Sequence, residues 1–499
     1  AVLFFHYPVL FASVIIVLAL VYLKGRYNEY YWKKLGVPFH ERNKSFGPLW
    51  QFITEDRPLF QIFNEIYWKF EKEPAVGLGS FDDHGLYVKD PTNIQHIATG
   101  DFHAFNHRGA PTVEEDLLAN NVLLMHGPKW KLIRQKLTPI FTTAKLKNMF
   151  YIIDKSAQDF VEFMKQEPER LKGDTYENLS HFCTASIAAA VFGIVTKSTF
   201  DSPFREMARQ ALMPTFWTNI RFAINSVSDT VFKGLKLKLF SGQEKFFIGA
   251  IKQVIKQRVQ DNVKRHDFVD LCVDLQSKGT MVDPETGLKI EPTDELLAAQ
   301  AFFFFIAGAD PTGAAAFGAL MELGRNPDAL KRVHEDVDAL FEKCNGQLTY
   351  DSVSEMKFLD NVLNESLRLH PPIAFLTRQC VHDSVLPVGD VAVQKGVKIF
   401  TPIWELHHDP KYFPEPEKFD PERFQREKVN DSVYMPFGVG HRICIGARYA
   451  RIQLLTCIVH LLRNFTVRTY TQKGGLQYRK EQFQVRLKNV DVEFIPRNL

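Results

Sequence analysis

The longest run of apolar positions opens the sequence, where residues 1–23 contain a single side chain that titrates near neutral pH, His6. About 20 apolar residues cross a bilayer as a helix, so the stretch predicts a transmembrane signal anchor. Lys24, Arg26, Lys33 and Lys34 follow at once, and the rule that basic flanks stay cytoplasmic places the rest of the chain on that side. A cleaved signal peptide is the competing reading, but no small-residue cleavage site is present and the charge lies at the wrong end. Tyr27, Tyr30, Tyr31 and Trp32 suit the interfacial belt. Gly36-Val37-Pro38 and Gly47-Pro48 then break the chain, which makes 24–48 a basic, Pro/Gly-containing linker and 49–499 the globular body.

Within that body the apolar spacing is mostly helical. From about Phe150 to Arg265 it recurs at the helix period in successive segments. Thr293-Asp294-Glu295 reads as a helix start that runs to about Leu323, on the order of 45 Å. This helix is apolar nearly all round; Gln300, Asp310 and Glu322 favour a buried central helix over a second membrane span. Met356 to His370 places Leu359, Val362, Leu363 and Leu367 on one face before Pro371-Pro372. Helices are also expected from near Pro128 and over Ala447–Arg463, and short alternating runs such as Gly85–Val88 read as strands.

Composition adds two bounds. The 499 residues are 45% hydrophobic and 24% charged, which marks globular material, and a net charge of +3 is too small to argue for a nucleic-acid partner, so none is expected. The cysteines at 183, 272, 344, 380, 444 and 457 form no C-x-x-C pair and no disulfide-like spacing, so a reducing compartment is expected.

The candidate chemistry centres on Phe437-Gly438-Val439-Gly440-His441-Arg442-Ile443-Cys444-Ile445-Gly446. Glycines permit a tight loop that holds one thiol toward a flat partner, although an isolated cysteine in a glycine-rich turn is more often simply buried. The order Phe, two residues, Gly, X, Arg, X, Cys, X, Gly resembles the cysteine loop of the cytochrome P-450 (haem-thiolate) monooxygenases, with His441 where many relatives carry proline. Further elements resemble that family in the expected order. Trp130 and Arg134 share a helix face as its W-x-x-x-R pair; alone, such a pair is commonly a surface cation–π contact. Ala307-Gly308-Ala309-Asp310-Pro311-Thr312 resembles the oxygen-binding segment, with Pro311 at the usual threonine position. Glu365 and Arg368 resemble E-x-x-R, and Pro421-Glu422-Arg423-Phe424 resembles P-E-R-F.

The resemblance implies a mainly α-helical fold with small β-sheets (α+β) and a haem b whose iron is ligated by Cys444. Thiolate ligation pushes electron density onto iron and favours O–O cleavage. Trp130, Arg134, Arg378, Arg442 and, more weakly, Arg108 are implied to hold the haem propionates, while Phe437, Gly438 and Gly446 shape the loop. Glu365, Arg368 and Arg423 would form a structural triad, and Asp310, Pro311 and Thr312 would lie at the proton relay. Substrate contacts are implied for Ala110–Asn121, Ile373–Leu376 and Glu481–Phe483; Phe204, Phe216, Trp217 and Phe222 could line a substrate roof or fill core.

The implied activity inserts one oxygen atom of O2 into a lipophilic small molecule, with electrons from NADPH through a membrane-bound reductase and cytochrome b5 as a further partner. That reductase would dock on Lys129, Lys131, Lys136, Arg448 and Arg451, and the chain would sit in the endoplasmic reticulum membrane with its body in the cytosol. The details most resemble microsomal enzymes of the insect detoxification group. Two other readings stand beside it: a haem-thiolate dehydratase or isomerase that does not activate O2, and a membrane-anchored haem protein that senses or sequesters apolar molecules.

Overall fold

The computed structural model describes residues 2–193, 206–207, 216–426 and 429–498. Phe204 lies outside them, as does the side chain of Phe216. The fold is mainly helical with small sheets, the class expected.

A central helix, Asp294–Arg325, organises the larger core. It starts where expected, since Thr293 Oγ1 accepts from the Leu296 N–H at 3.2 Å as an N-cap. Helices Thr175–Phe192, Glu244–Asp261, Lys357–Leu369 and Ala447–Asn464 pack around it, which explains an apolar surface on every side. Gly308 and Gly313 let the Thr175–Phe192 helix approach closely: a Cβ on Gly308 would fall 2.8 Å from Ile187 Cγ1, and one on Gly313 3.1 Å from Ser180 Cα. The polar interruptions are satisfied inside the fold. Gln300 donates to the Asn120 and Leu296 carbonyls and accepts from the Val122 N–H, and Glu322 meets His370 Nε2 at 2.8 Å.

A second core lies against a four-stranded sheet ordered Ala75–Leu78, Gly85–Val88, Lys398–Pro402, Phe375–Gln379. Only the pairing of Gly85–Val88 with Lys398–Pro402 is parallel. Phe63 stacks on Tyr87 at 5.0 Å between its ring and the sheet's. Glu405, fully enclosed beside Tyr87, has neither carboxylate oxygen in hydrogen-bonding geometry with a partner. Burial pushes its carboxyl up to about 8, with only partial relief from its own backbone and from Tyr87.

At the amino terminus the structure departs from the expected linker. One unbroken helix spans Val2–Lys34, apolar and exposed over residues 11–20 and seated on the body thereafter. Gly25, Asn28, Glu29 and Trp32 are buried at the i, i+3, i+4, i+7 spacing of one helix face. The tyrosines placed in an interfacial belt divide accordingly: Tyr27 and Tyr30 are exposed, whereas Tyr31 and Trp32 pack against the body.

Candidate functional site

The cysteine loop is built by backbone bonds within it and by contact with a neighbouring turn. The Cys444 N–H donates to the Phe437 carbonyl at 2.8 Å, Ile443 N–H to Gly440 at 3.0 Å, and Gly438 N–H to Met435 at 2.9 Å. Gly440 has φ +72°, and a Cβ there would lie 2.2 Å from the Ala98 carbonyl oxygen, so only glycine fits against the His96–Gly100 turn. Helix Ala447–Asn464 begins immediately after Gly446. Cys444 is accessible to a small partner yet deeply enclosed by protein. Enclosure pushes its thiol up; the Gly446 N–H, Arg134 and Arg108 pull it back toward thiolate.

Above this loop four arginines converge. Arg108 Nη2 donates to the Arg442 carbonyl at 3.2 Å, and Arg134 Nη2 to the Ile443 carbonyl at 2.8 Å. Arg442 donates to the Asn106 carbonyl at 2.6 Å and the Met125 carbonyl at 2.5 Å, with its guanidinium 4.3 Å over the Trp130 ring. Arg378, buried on strand Phe375–Gln379, donates to the Thr377 carbonyl at 2.7 Å. Among the described residues none of the four meets a carboxylate, and Nε of Arg108, Arg378 and Arg442 has no partner. Burial, then mutual repulsion, makes the charged state of Arg442 and Arg378 unfavourable. A guanidinium does not discharge in proteins, so the relief this cluster fits is an anion with several carboxylate oxygens, as the two propionates of haem provide.

The structure therefore brings together Cys444, Trp130, Arg134, Arg378, Arg442 and Arg108, with Phe437, Gly438 and Gly446 in the loop itself. It also gathers the triad. Arg368 binds Glu365 through two parallel bonds of 2.9 Å, both side chains fully buried, and Arg423 Nε lies 3.4 Å from Glu365 Oε1. Arg368 reaches on to the His407 carbonyl at 2.8 Å. His407 Nδ1 lies 3.2 Å from the Arg368 carbonyl, and its Nε2 accepts from the Met435 N–H at 3.1 Å. His407 is thus a neutral tie between triad and cysteine loop, and burial holds its basicity far below the usual range. Its role has no signal in the sequence, because its partners are 39 and 28 residues away.

Asp310 is the most heavily engaged of the relay candidates. Tyr176 Oη donates to Oδ1 at 2.6 Å, Gln484 Nε2 to Oδ2 at 2.6 Å, and Arg486 forms an ion pair with Oδ1. None of these three partners was legible as one. A cavity of about 720 Å³ lies against this cluster, lined also by Ser180, Phe317 and His370. Thr312 is buried, whereas Ala307 and Pro311, four apart on one face, are partly exposed.

A smaller cavity of about 100 Å³ runs from Phe46, Leu49 and Phe81 to Arg108 and Arg378. Ala110, Phe375, Gln482 and Phe483 line it, so each segment implied for substrate contact supplies at least one wall. Phe222 is half-buried and Trp217 is 70% exposed. The cations expected to dock a reductase differ in their surroundings. Lys129, Lys136 and Arg448 are exposed, Lys131 meets Glu285 at 2.6 Å in a surface ion pair, and Arg451 binds Asp360 and Asn364 at 2.5–3.0 Å.

Residues 37–494 match the family model described as Cytochrome P450. The chain is 31% identical to Cytochrome P450 6B2 of Helicoverpa armigera over 473 residues, 92% of either chain. It is 30% identical to Cytochrome P450 6k1 of Blattella germanica, covering 91% of this chain and 90% of that one. With Probable cytochrome P450 6a13 of Drosophila melanogaster the identity is 32%, over 89% and 90%.

Proposed function

Because the chain belongs to the cytochrome P450 family, whose members are haem monooxygenases in general, we propose that it inserts one oxygen atom of O2 into a lipophilic small molecule. Electrons come from NADPH through a membrane-bound reductase docked on Lys129, Lys136 and Arg448, with cytochrome b5 as a further donor. The observation that carries this reading is the juxtaposition of Cys444, held beneath a helix start, with four guanidiniums that no carboxylate of the described chain neutralises. When bound, haem supplies O2 activation at its iron. The protein's part is positional. Cys444 ligates, Arg108, Arg134, Arg378 and Arg442 hold the propionates with Trp130 packed beneath Arg442, and the Glu365–Arg368–Arg423 triad keeps the loop in register through His407.

Asp310 is the proton-handling group nearest in sequence to the substituted position, and its carboxylate already accepts from Tyr176, Gln484 and Arg486. These three donors leave one acceptor site on Oδ2 open for a proton carrier, and Thr312 is the neighbouring hydroxyl in sequence. Pro311 favours a second reading for this specific reason: it offers no hydroxyl and no N–H, so a haem-thiolate dehydratase or isomerase that needs no proton delivery to oxygen fits it equally. The apolar amino-terminal helix and the basic residues that follow it support an endoplasmic-reticulum membrane anchor with the body in the cytosol.

The test is reconstitution of the full chain with reductase, NADPH and isotopically labelled O2 across a panel of lipophilic compounds, read by mass spectrometry. Label in the product, and its loss together with the thiolate ferrous-CO absorption in Cys444→Ser, are the expected results. Product without label supports the dehydratase. Iron that a competent reductase cannot reduce, even with a ligand bound, points instead to a sensor or sequestering protein.

A further inference from the structure

Residues 24–34 meet the body through fitted contacts that a flexible tether could not make. Asn28 is fully buried, and its amide gives one hydrogen to the Lys44 carbonyl at 2.8 Å and the other to the Ser80 carbonyl at 2.9 Å. Its Oδ1 must then be the atom facing His84 Nδ1 at 3.1 Å, so that nitrogen carries the proton. Tyr31 lies flat on the same imidazole, with ring centres 3.6 Å apart, and its hydroxyl reaches Gln394 at 3.1 Å. Trp32 is fully buried over the sheet, where a Cβ on Gly77 would fall 2.3 Å from the indole. At the upper end Ser45 Oγ donates to the Val21 carbonyl at 2.6 Å, and Lys24 Nζ donates to the Asp82 carbonyl at 3.2 Å.

The seat is also a wall of the smaller cavity. Ser80, which accepts from Asn28, lines it beside Gly79, Phe81 and Phe46. Phe46 stacks between Phe81 and the exposed Trp50, with ring centres 5.3 and 5.7 Å away. On the far side of the same loop, Asp82 accepts from Ser228 Oγ and the Thr230 N–H, each at 2.9 Å. The helix that leaves the membrane span is thus joined directly to the segments that frame the cavity mouth.

We propose that residues 24–34 form a rigid strut, latched by Asn28, Tyr31 and Trp32, that fixes the angle between the catalytic body and the bilayer and holds the Phe46–Phe81 mouth at the lipid face. The proposal rests on the reading of residues 1–23 as a membrane span. A side-chain amide that bridges two backbone carbonyls and a histidine is specific for asparagine: aspartate has the same shape but aims acceptor oxygens at acceptor oxygens. Asn28→Asp should therefore release the strut while leaving the span and the haem site untouched.

The experiment uses the full chain in phosphatidylcholine nanodiscs, limited trypsin digestion, and release of the body by cutting at Arg26, Lys33 or Lys34. The parent should be cut slowly and Asn28→Asp about tenfold or more faster, because cleavage needs local unfolding. Equal rates, fast or slow, overturn the strut. If Asn28→Asp does not retain the parent's ferrous-CO spectrum, amide hydrogen exchange of the parent decides: protection of residues 26–34 comparable with Val76–Leu78 supports the strut, and exchange within seconds overturns it. Failure of the parent to enter nanodiscs at all is a separate result, which overturns the membrane reading.

Discussion

Pro311 shows what a single residue withholds. Threonine at this place has a hydroxyl that can bond the carbonyl four residues back, whereas proline has neither that hydroxyl nor the N–H that Ala307 would otherwise receive, so the backbone can be freed by either residue but only one supplies a proton donor. Thr312 lies about 100° further round the helix and does not share the face of Ala307 and Pro311. If the chain is an ordinary hydroxylase, Pro311→Thr should improve coupling, measured as less peroxide released per NADPH oxidised. Lower activity on the native substrate with no gain in coupling would remove that version and raise the dehydratase. Glu405 carries a different residue-scale consequence. Its carboxyl is near 8 in the folded chain and near the usual carboxylate value when unfolded, so the folded state holds the extra proton. Its penalty is absent below about pH 4, grows as pH rises through the interval, and levels off above about pH 8, at a few kcal/mol. Glu405→Gln should flatten the fall in melting temperature between pH 6 and 8. An unchanged profile would show the carboxylate to be relieved by groups other than Tyr87.

At the scale of elements, the triad joins helix Lys357–Leu369 to the segment that precedes the cysteine loop. Two parallel bonds hold Arg368 to Glu365 with no water contact, and removing one partner of such a pair costs about 3–5 kcal/mol because a charge is left alone. Arg368→Ala should consequently lose haem and solubility together, while Arg368→Lys, which keeps charge but not the fork, should fall between; haem content per protein by absorbance measures both. Normal haem loading in Arg368→Ala would show that the loop needs no such brace. These motifs were legible because each is short: Trp130 to Arg134, Glu365 to Arg368 and Phe437 to Gly446 carry their meaning within one turn or loop. The long helices were legible from periodicity, to within two residues at either end of the central one. What escaped was assembled from distance. Arg486 and Gln484 reach Asp310 across 176 and 174 residues, and nothing about either marks it as a partner in advance. The strut escaped because its meaning lies partly in an absence, the missing side chain of Gly77 beneath Trp32. Basic residues beside a membrane span look like a tether until the surface they rest on is known.

For the whole molecule, the apolar amino-terminal helix runs unbroken through Lys34 into its seat on the body. Removing residues 1–23 should allow extraction without detergent while keeping haem, with residual membrane affinity that weakens in salt to the extent that the basic flank provides it. Removing residues 1–34 should do worse in spite of the shorter apolar content, since it strips Trp32 from the sheet and Asn28 from two carbonyls; melting temperature compares the two. Equal stability would mean that the seat adds nothing to the fold. The arginine cluster has a consequence of another kind, for how the protein is made. Four like charges gathered among backbone carbonyls oppose folding until a polyanion joins them, and a ligand that binds only the folded chain stabilises it by mass action. Haem would then act as a counter-ion of assembly, and the yield of intact protein in a producing cell would follow the supply of porphyrin as much as the rate of translation.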